Sequence, residues 1–461
     1  MPLQIENSAV TVSAPASERT PHRRDSLTLA RAPLHDGTTL APVTLAYETW
    51  GTLAATADNV VLICHALTGD AHAADLDTPG DPRAGWWNPL IGPGRVFDTD
   101  RYFVVCSNVL GGCYGSTGPT SPHPLDSQPY GMRFPLVSIG DMVRAQRALL
   151  AHLGVRRLAA VAGGSIGGLQ ALEWAVAYPD FVERAIVLAA GARLGAQGIA
   201  LNEIGRRAIV ADPHWQHGDY APGEGPADGL AIARMVAMLS YSSAADLDTR
   251  FGRRPATRPT SQPSFGPAFD VESYLQYQGE KLVRRFDANT YLILSRAMDR
   301  YDVADWADGG SEEPAYEGSR DTEVPVGGRD TELPAHGQWA EALGDEAQGD
   351  REAAALARVR ASLLAVGVSS DWLFPPAQVR ALADGVRAAG GHAQYAEIAS
   401  PLGHDAFLKE WGQLDSILRP FLAEESHPQP PPLRSSASSA RLGRASRSPS
   451  ARRLFPRGEG P

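Results

Sequence analysis

Apolar residues along this chain fall into two alternating textures. Short unbroken runs, such as Asn59-Val-Val-Leu-Ile-Cys64, Leu158-Ala-Ala-Val-Ala-Gly-Gly164 and Ala361-Ser-Leu-Leu-Ala-Val-Gly-Val-Ser-Ser370, alternate with stretches of helical spacing from Asp141 to Leu153, Leu169 to Tyr178 and Pro376 to Ala389. A run without polar alternation reads as a strand covered on both faces, and the wider period as a helix with one apolar stripe. Repeated strand-then-helix order predicts an α/β fold, a mostly parallel sheet flanked by helices. A shorter strand, His392-Ala-Gln-Tyr-Ala-Glu-Ile398, and a closing helix complete the pattern. The 461 residues, 43% of them hydrophobic, can bury one full core of this kind.

One junction between the textures carries chemistry. The run from Leu158 stops at Gly163-Gly164-Ser165-Ile166-Gly167 and turns into a helical pattern. Strand, Gly-x-Ser-x-Gly turn and helix describe a nucleophile elbow, in which the serine sits on a sharp turn with its hydroxyl exposed above the sheet. Glycines two before and two after Ser165 are expected because those residues approach too closely for a Cβ. A phosphate-binding turn or an incidental serine would read the same from the pentapeptide alone. A serine nucleophile needs a base, and the base needs an orienting acid, in the chain order Ser, Asp, His. Asp371 stands just past the strand ending at Ser370, and His404 lies in the loop after the last strand. Both fall at the edge of a parallel sheet where loops collect catalytic groups. The oxyanion hole is expected from the backbone N–H groups of Ile166, after the nucleophile, and of Leu67, after the strand ending at Cys64. His65 and His72 suggest a metal site, but no acidic or cysteine partner lies at ligand spacing, so none is expected. Cys113 is the rival nucleophile; it lies in a glycine-rich loop without an elbow.

The segments His65-Ala-Leu-Thr-Gly-Asp70, Gly85-Trp-Trp-Asn88, Leu110-Gly-Gly-Cys-Tyr-Gly-Ser-Thr-Gly-Pro119, Gly163-Gly-Ser-Ile-Gly-Gly-Leu-Gln-Ala-Leu-Glu-Trp174, Asp371-Trp-Leu-Phe-Pro-Pro376 and Gly403-His-Asp-Ala-Phe-Leu408 together resemble the homoserine O-acetyltransferase family. The resemblance implies an α/β-hydrolase fold with an inserted helical lid, and a homodimer. It implies acetyl transfer from acetyl-CoA, a co-substrate rather than a cofactor, to the side-chain hydroxyl of L-homoserine, a step toward methionine. The family's triad corresponds to Ser165, Asp371 and His404, its substrate-binding arginine to Arg234 and its carboxylate for the substrate amine to Asp405. A zwitterionic amino acid does need one cation and one anion, and a guanidinium grips a carboxylate bidentately. Against these roles, Arg234 could be a snorkelling arginine on an apolar helix, and Asp405 an N-cap of the closing helix. Ile166 and Leu169 stand where methionines are common in the family, and Trp372 where a smaller polar residue is. Open alternatives are a succinyl donor, for which Arg193 could supply the extra cation, a serine acceptor, plain ester hydrolysis, and a binding protein on a dead scaffold.

The expected organisation is a flexible N-terminus (1–25), a first part of the core (26–190), a lid (191–306), an acidic insertion (307–350), a second part of the core (351–425) and a disordered basic tail (426–461). The insertion holds a near-repeat, Arg320-Asp-Thr-Glu-Val-Pro325 and Arg329-Asp-Thr-Glu-Leu-Pro334, and too few large apolar residues to order itself. The tail carries seven arginines against one acid, so the rest of the chain is more acidic than the net charge of −11. Nucleic-acid binding by that tail is the weaker expectation. With three cysteines, no membrane-spanning apolar run and no signal-peptide core, the expected setting is the cytoplasm.

Overall fold

The computed structural model describes residues 21–75, 85–256, 266–307 and 345–424. One sheet is built from β1 (His22–Leu29), β2 (Val43–Trp50), β3 (Val60–Cys64), β4 (Phe103–Ser107), β5 (Leu158–Gly164), β6 (Arg184–Leu188), β7 (Ser362–Val368) and β8 (Ala393–Ile398). Their order across the sheet is β1-β2-β4-β3-β5-β6-β7-β8. Only β2 runs against its neighbours; every pair from β4 through β8 is parallel. Helices α1 (Ile139–His152) and α2 (Ile166–Ala177) flank β5 in the chain. Between β6 and β7 the chain leaves the sheet for α3 (Ala196–Ala211), α4 (Ala227–Tyr241), α5 (Ala244–Arg250), α6 (Asp270–Val283), α7 (Ala288–Asp299) and α8 (Asp345–Leu356). Helices α9 (Pro376–Ala388) and α10 (Trp411–Ala423) bracket β8.

The unbroken apolar runs are explained by two-sided burial. Successive side chains of a strand point to opposite faces. Leu62, Val161 and Val187 enter a core with Ile139, Leu172 and Val379 of α1, α2 and α9. Val61, Ala162 and Ile186 enter a second core with Trp87, Phe97 and, from α10, Leu418 and Phe421. A strand buried on both faces can show no polar alternation, so the pattern in the sequence follows directly.

A polar network locks α1 against α2. The Trp174 indole donates to Gln146 (2.8 Å), whose amide donates to Gln170 (2.8 Å), whose amide in turn reaches the Ile166 carbonyl (3.3 Å). All three side chains are buried, and an unsatisfied amide there would cost about 1–3 kcal/mol. The network therefore fixes the first turn of α2, the turn that begins directly after Ser165.

Two boundaries differ from expectation. The sheet already begins at His22, inside the stretch read as loose: β1 is an edge strand whose backbone pairs with β2 while most of its side chains stay exposed, so its polar sequence hides it. Helix α8 starts at Asp345, inside the expected insertion, and buries Ala355 and Leu356 at its end. The near-repeat and the basic tail lie outside the described residues. Among the described residues no helix is long and apolar enough to cross a membrane.

Candidate active site

Ser165 adopts φ 59° and ψ −126°, a backbone conformation that a side-chain-bearing residue enters only under constraint. The constraint is the packing of the turn. A Cβ on Gly163 would run into the Gly167 carbonyl, and one on Gly167 into the Cys64 carbonyl at the end of β3. The glycine spacing is thus a steric requirement between β3, β5 and α2. The Ser165 N–H donates to the Leu188 carbonyl (3.0 Å), anchoring the turn to β6 as well.

Asp371 follows β7 and is buried. One carboxylate oxygen accepts from the N–H groups of Leu373 (2.9 Å) and Phe374 (3.0 Å), and the other receives His404 Nδ1 at 2.7 Å. His404 lies in the turn Gly403–Leu408 after β8, buried among Tyr241, Phe374 and Phe407 with ring centroids 5.7, 5.8 and 5.6 Å away. Gly403, at φ 71°, lets that turn pass against the backbone of Ser242, where a Cβ would not fit. Burial by itself would lower the His404 pKa. The charge and hydrogen bond of Asp371 outweigh it, and the imidazole is held above its ordinary value. Among the described residues, His404 Nε2 has no hydrogen-bond partner.

Ser165, His404 and Leu67 line one cavity together with Arg234 and Asp405. Five residues named from the sequence, drawn from four separate segments, are therefore brought together, with Asp371 directly behind His404. The Leu67 N–H donates to no carbonyl among the described residues, and that of Ile166 is in the first turn of α2, where a helix leaves its donors free. The loop carrying Leu67 is pinned on both sides. His65 Nε2 accepts from the Val109 N–H (3.1 Å), which leaves Nδ1 to donate to the Ala66 carbonyl (2.8 Å). His72 reaches the Glu48 carboxylate of β2 at 3.0 Å. Burial would raise the Glu48 pKa, but His22, His72 and Arg24 bring it down to about 2. Both histidines that raised a metal reading thus have hydrogen-bonding roles in holding this loop.

Arg234 is half-buried on α4, its guanidinium 5.7 Å from the Tyr241 ring. Asp405 accepts from the partly exposed Lys409 ammonium at 3.3 Å and does not cap α10, whose N-cap is Glu410. Arg193 pairs instead with Asp302 (3.6 Å) and Glu352 (3.2 Å) and does not line the cavity, so the cation suggested for a succinyl donor is engaged elsewhere. Cys113 is also absent from the lining, and burial pushes its thiol up to about 11, which leaves it protonated near neutral pH.

A family model described as alpha/beta hydrolase fold matches residues 59–410. A homoserine O-acetyltransferase of Carboxydothermus hydrogenoformans is 44% identical over 398 residues, 86% of this chain and 94% of that protein. This chain belongs to the homoserine O-acetyltransferase family. The crystal structure of a homoserine O-acetyltransferase from Bacillus anthracis matches it with a TM-score of 0.73 at 27% identity, covering 88% of this chain and 99% of that one. A crystallised esterase matches almost as well, with a TM-score of 0.71 at 26% identity and 87% and 100% coverage. The scaffold of the homoserine O-acetyltransferase family is thus shared with an esterase, so chemistry has to be argued from the site.

Trp86, quoted above only as part of a motif, also lines the cavity, as do Tyr241 and Arg285, which no motif contained. Tyr241 had a usable signal, since it lies two helical turns after Arg234 and shares its face. Arg285 had none. It follows α6 yet donates to the Thr68 carbonyl (2.7 Å) and the Tyr114 hydroxyl (2.6 Å), contacts that only the folded chain creates.

Proposed function

We propose that this chain transfers the acetyl group of acetyl-CoA to the hydroxyl of L-homoserine through an acyl-Ser165 intermediate. His404 Nε2 takes the Ser165 proton as the serine oxygen attacks the thioester carbonyl. The N–H groups of Leu67 and Ile166 hold the resulting oxyanion, and Asp371 fixes the imidazole tautomer and stabilises its cation. The C–S bond then breaks, and the CoA thiolate takes the proton from His404. In the second half, His404 deprotonates the homoserine hydroxyl, which attacks the acyl carbonyl; Ser165 leaves and regains its proton. Acetyl-CoA is consumed as a co-substrate, and no step calls for a metal or a bound cofactor.

The observation that carries this reading is that a guanidinium and a carboxylate, those of Arg234 and Asp405, stand on the wall of the cavity that contains Ser165 and His404, where the second guanidinium, that of Arg285, is already engaged by Thr68 and Tyr114. That pair complements an amino-acid zwitterion, whereas simple ester hydrolysis needs neither charge. The excursion containing α3 to α7 serves as the lid, since α4 delivers Arg234. The proposal includes a cytoplasmic homodimer: Ile204, Val210, Ile232 and Leu239 expose apolar surface on α3 and α4 that a second copy would cover. Light scattering on the purified protein tests the dimer, and a monomer at micromolar concentration refutes it.

The activity is tested by a CoA-release assay crossing acetyl-CoA and succinyl-CoA with L-homoserine and L-serine. Homoserine-dependent release from acetyl-CoA is expected. Release that ignores the acceptor would mark a hydrolase instead.

A further inference from the structure

Ser165 and Leu67 line two cavities, not one. The first holds His404, Arg234 and Asp405. The second extends from the nucleophile toward the excursion helices and is walled by Leu194, Leu201, Val236, Ala237, Met298 and Leu373. It is largely enclosed and has room for about one water-sized group. Tyr241 and Tyr291 complete its wall, and of its other polar residues the Asn202 amide donates to Asp299 (2.7 Å) and the Ser240 hydroxyl to the Ala237 carbonyl (2.8 Å). No lysine, arginine or histidine is among its described lining residues.

Stereochemistry assigns an occupant to each space. A tetrahedral carbon on Ser165 Oγ carries three other substituents: an oxyanion, the exchanging group and the acyl chain. The oxyanion belongs to the N–H groups of Leu67 and Ile166. The departing thiolate and the arriving hydroxyl must both lie within reach of His404 Nε2, because one imidazole protonates the first and deprotonates the second. Both exchanging groups therefore use the first cavity. Only the second remains for the acyl chain.

Resting on the acyl-transfer reading, we propose that this second cavity is the acyl subsite and that Leu201 and Met298 restrict it to a short, uncharged group, the acetyl methyl. A butyryl chain would have to displace one of these side chains. A succinyl chain would in addition bring a carboxylate into a narrow, largely enclosed space with no cation among its described lining residues, so the cost of desolvating that charge goes without an ion pair.

The test compares wild type with Leu201→Ala and Met298→Ala. Each is assayed for kcat/KM with acetyl-, butyryl- and succinyl-CoA at saturating L-homoserine, and for hydrolysis of p-nitrophenyl acetate and butyrate. The readout is the butyryl-to-acetyl ratio within one preparation, which partial unfolding leaves unchanged because it lowers both rates together. Each opened variant should raise that ratio about tenfold in both assays, as expected for admitting extra methylenes to an apolar pocket. Succinyl-CoA should remain a poor donor for all three proteins. Equal use of acetyl and butyryl donors by wild type would overturn the proposal, and so would ratios unmoved in both variants. The ester assay separates this outcome from failure of the transferase reading: a shifted ester ratio without any homoserine-dependent transfer keeps the subsite and removes the acceptor assignment.

Discussion

The turn around Ser165 and the excursion from α3 to α7 face the same cavity under opposite constraints. Every residue of α2 from Ile166 to Val176 is buried, and the turn before it tolerates no added Cβ. Helix α4, which delivers Arg234, leaves Ile232 48% and Leu239 46% exposed. Close packing gives the nucleophile one position, at the expense of strained backbone. In the proposed dimer the exposed face of α4 is left to a second copy rather than to the chain's own core, so substitutions on this helix can alter substrate affinity while the sheet stays intact. On the proposed function the nucleophile belongs to the packed region, while acceptor recognition is divided between Arg234 on the excursion and Asp405 beside His404.

Triad substitutions challenge the packed half most severely. Ser165→Ala, His404→Ala and Asp371→Ala should each lower kcat by about three orders of magnitude, and a double variant should lose little more than the worse single one, because the three act as a unit. Steady-state rates of the singles and one double check this. Near-normal turnover of Ser165→Ala would remove the nucleophile assignment.

The next test asks whether the two halves are separable. Arg234→Ala and Asp405→Ala should each raise the KM for homoserine by about ten- to a hundredfold, the loss of one charge-assisted contact of roughly 1.5–3 kcal/mol. Acetylation of Ser165 by acetyl-CoA alone, followed by intact-protein mass, should persist. Equal damage to both half-reactions would make the two residues structural and erase the distinction.

A smaller effect is expected at Glu173, on α2 beneath the elbow. Burial pushes its pKa up to about 7, although the Trp306 indole donates to it at 2.9 Å. A carboxyl raised in the folded state and ordinary in the unfolded one holds its proton better when folded. Stability is then greatest below the unfolded pKa and declines as pH rises through the folded one. Urea unfolding between pH 5 and 8 should show that decline. Glu173→Gln, which keeps the acceptor for Trp306, should flatten it, gaining on the order of 1–3 kcal/mol at pH 8. Parallel curves for the two proteins would mean that Glu173 is not held neutral.

The smallest effect is a shift in a pH profile. Since the Asp371 carboxylate holds the His404 pKa up against burial, the acid limb of kcat/KM should lie above the ordinary histidine value. In Asp371→Asn the residual activity should show that limb displaced to lower pH. An unmoved limb would assign it to another group.

Much of the site was legible because its determinants are local. The Gly163-x-Ser165-x-Gly167 spacing encodes a steric rule that acts within one turn, and Asp371 and His404 each follow a recognisable strand. Edge strand β1 was not legible, since backbone pairing with β2 leaves its side chains free to be polar. The opening turns of α8 were hidden in the same way, because their polar composition resembles the segment before them. Tyr241 was legible only through Arg234, whose face of α4 it shares two helical turns further on.

By itself, then, the sequence determined the central strands β3, β5 and β7, the elbow and the chain order of Ser165, Asp371 and His404, because burial on two faces and the crowding of one turn leave direct marks on residue choice. Tertiary structure alone decided that Arg193 is tied to Asp302 and Glu352, that Arg285 reaches the loop of Leu67 and Thr68, and that Ser165 borders two cavities. Those facts depend on distances between segments far apart in the chain. A guanidinium, or the shape of an empty space, carries no local signature of the partner it will meet.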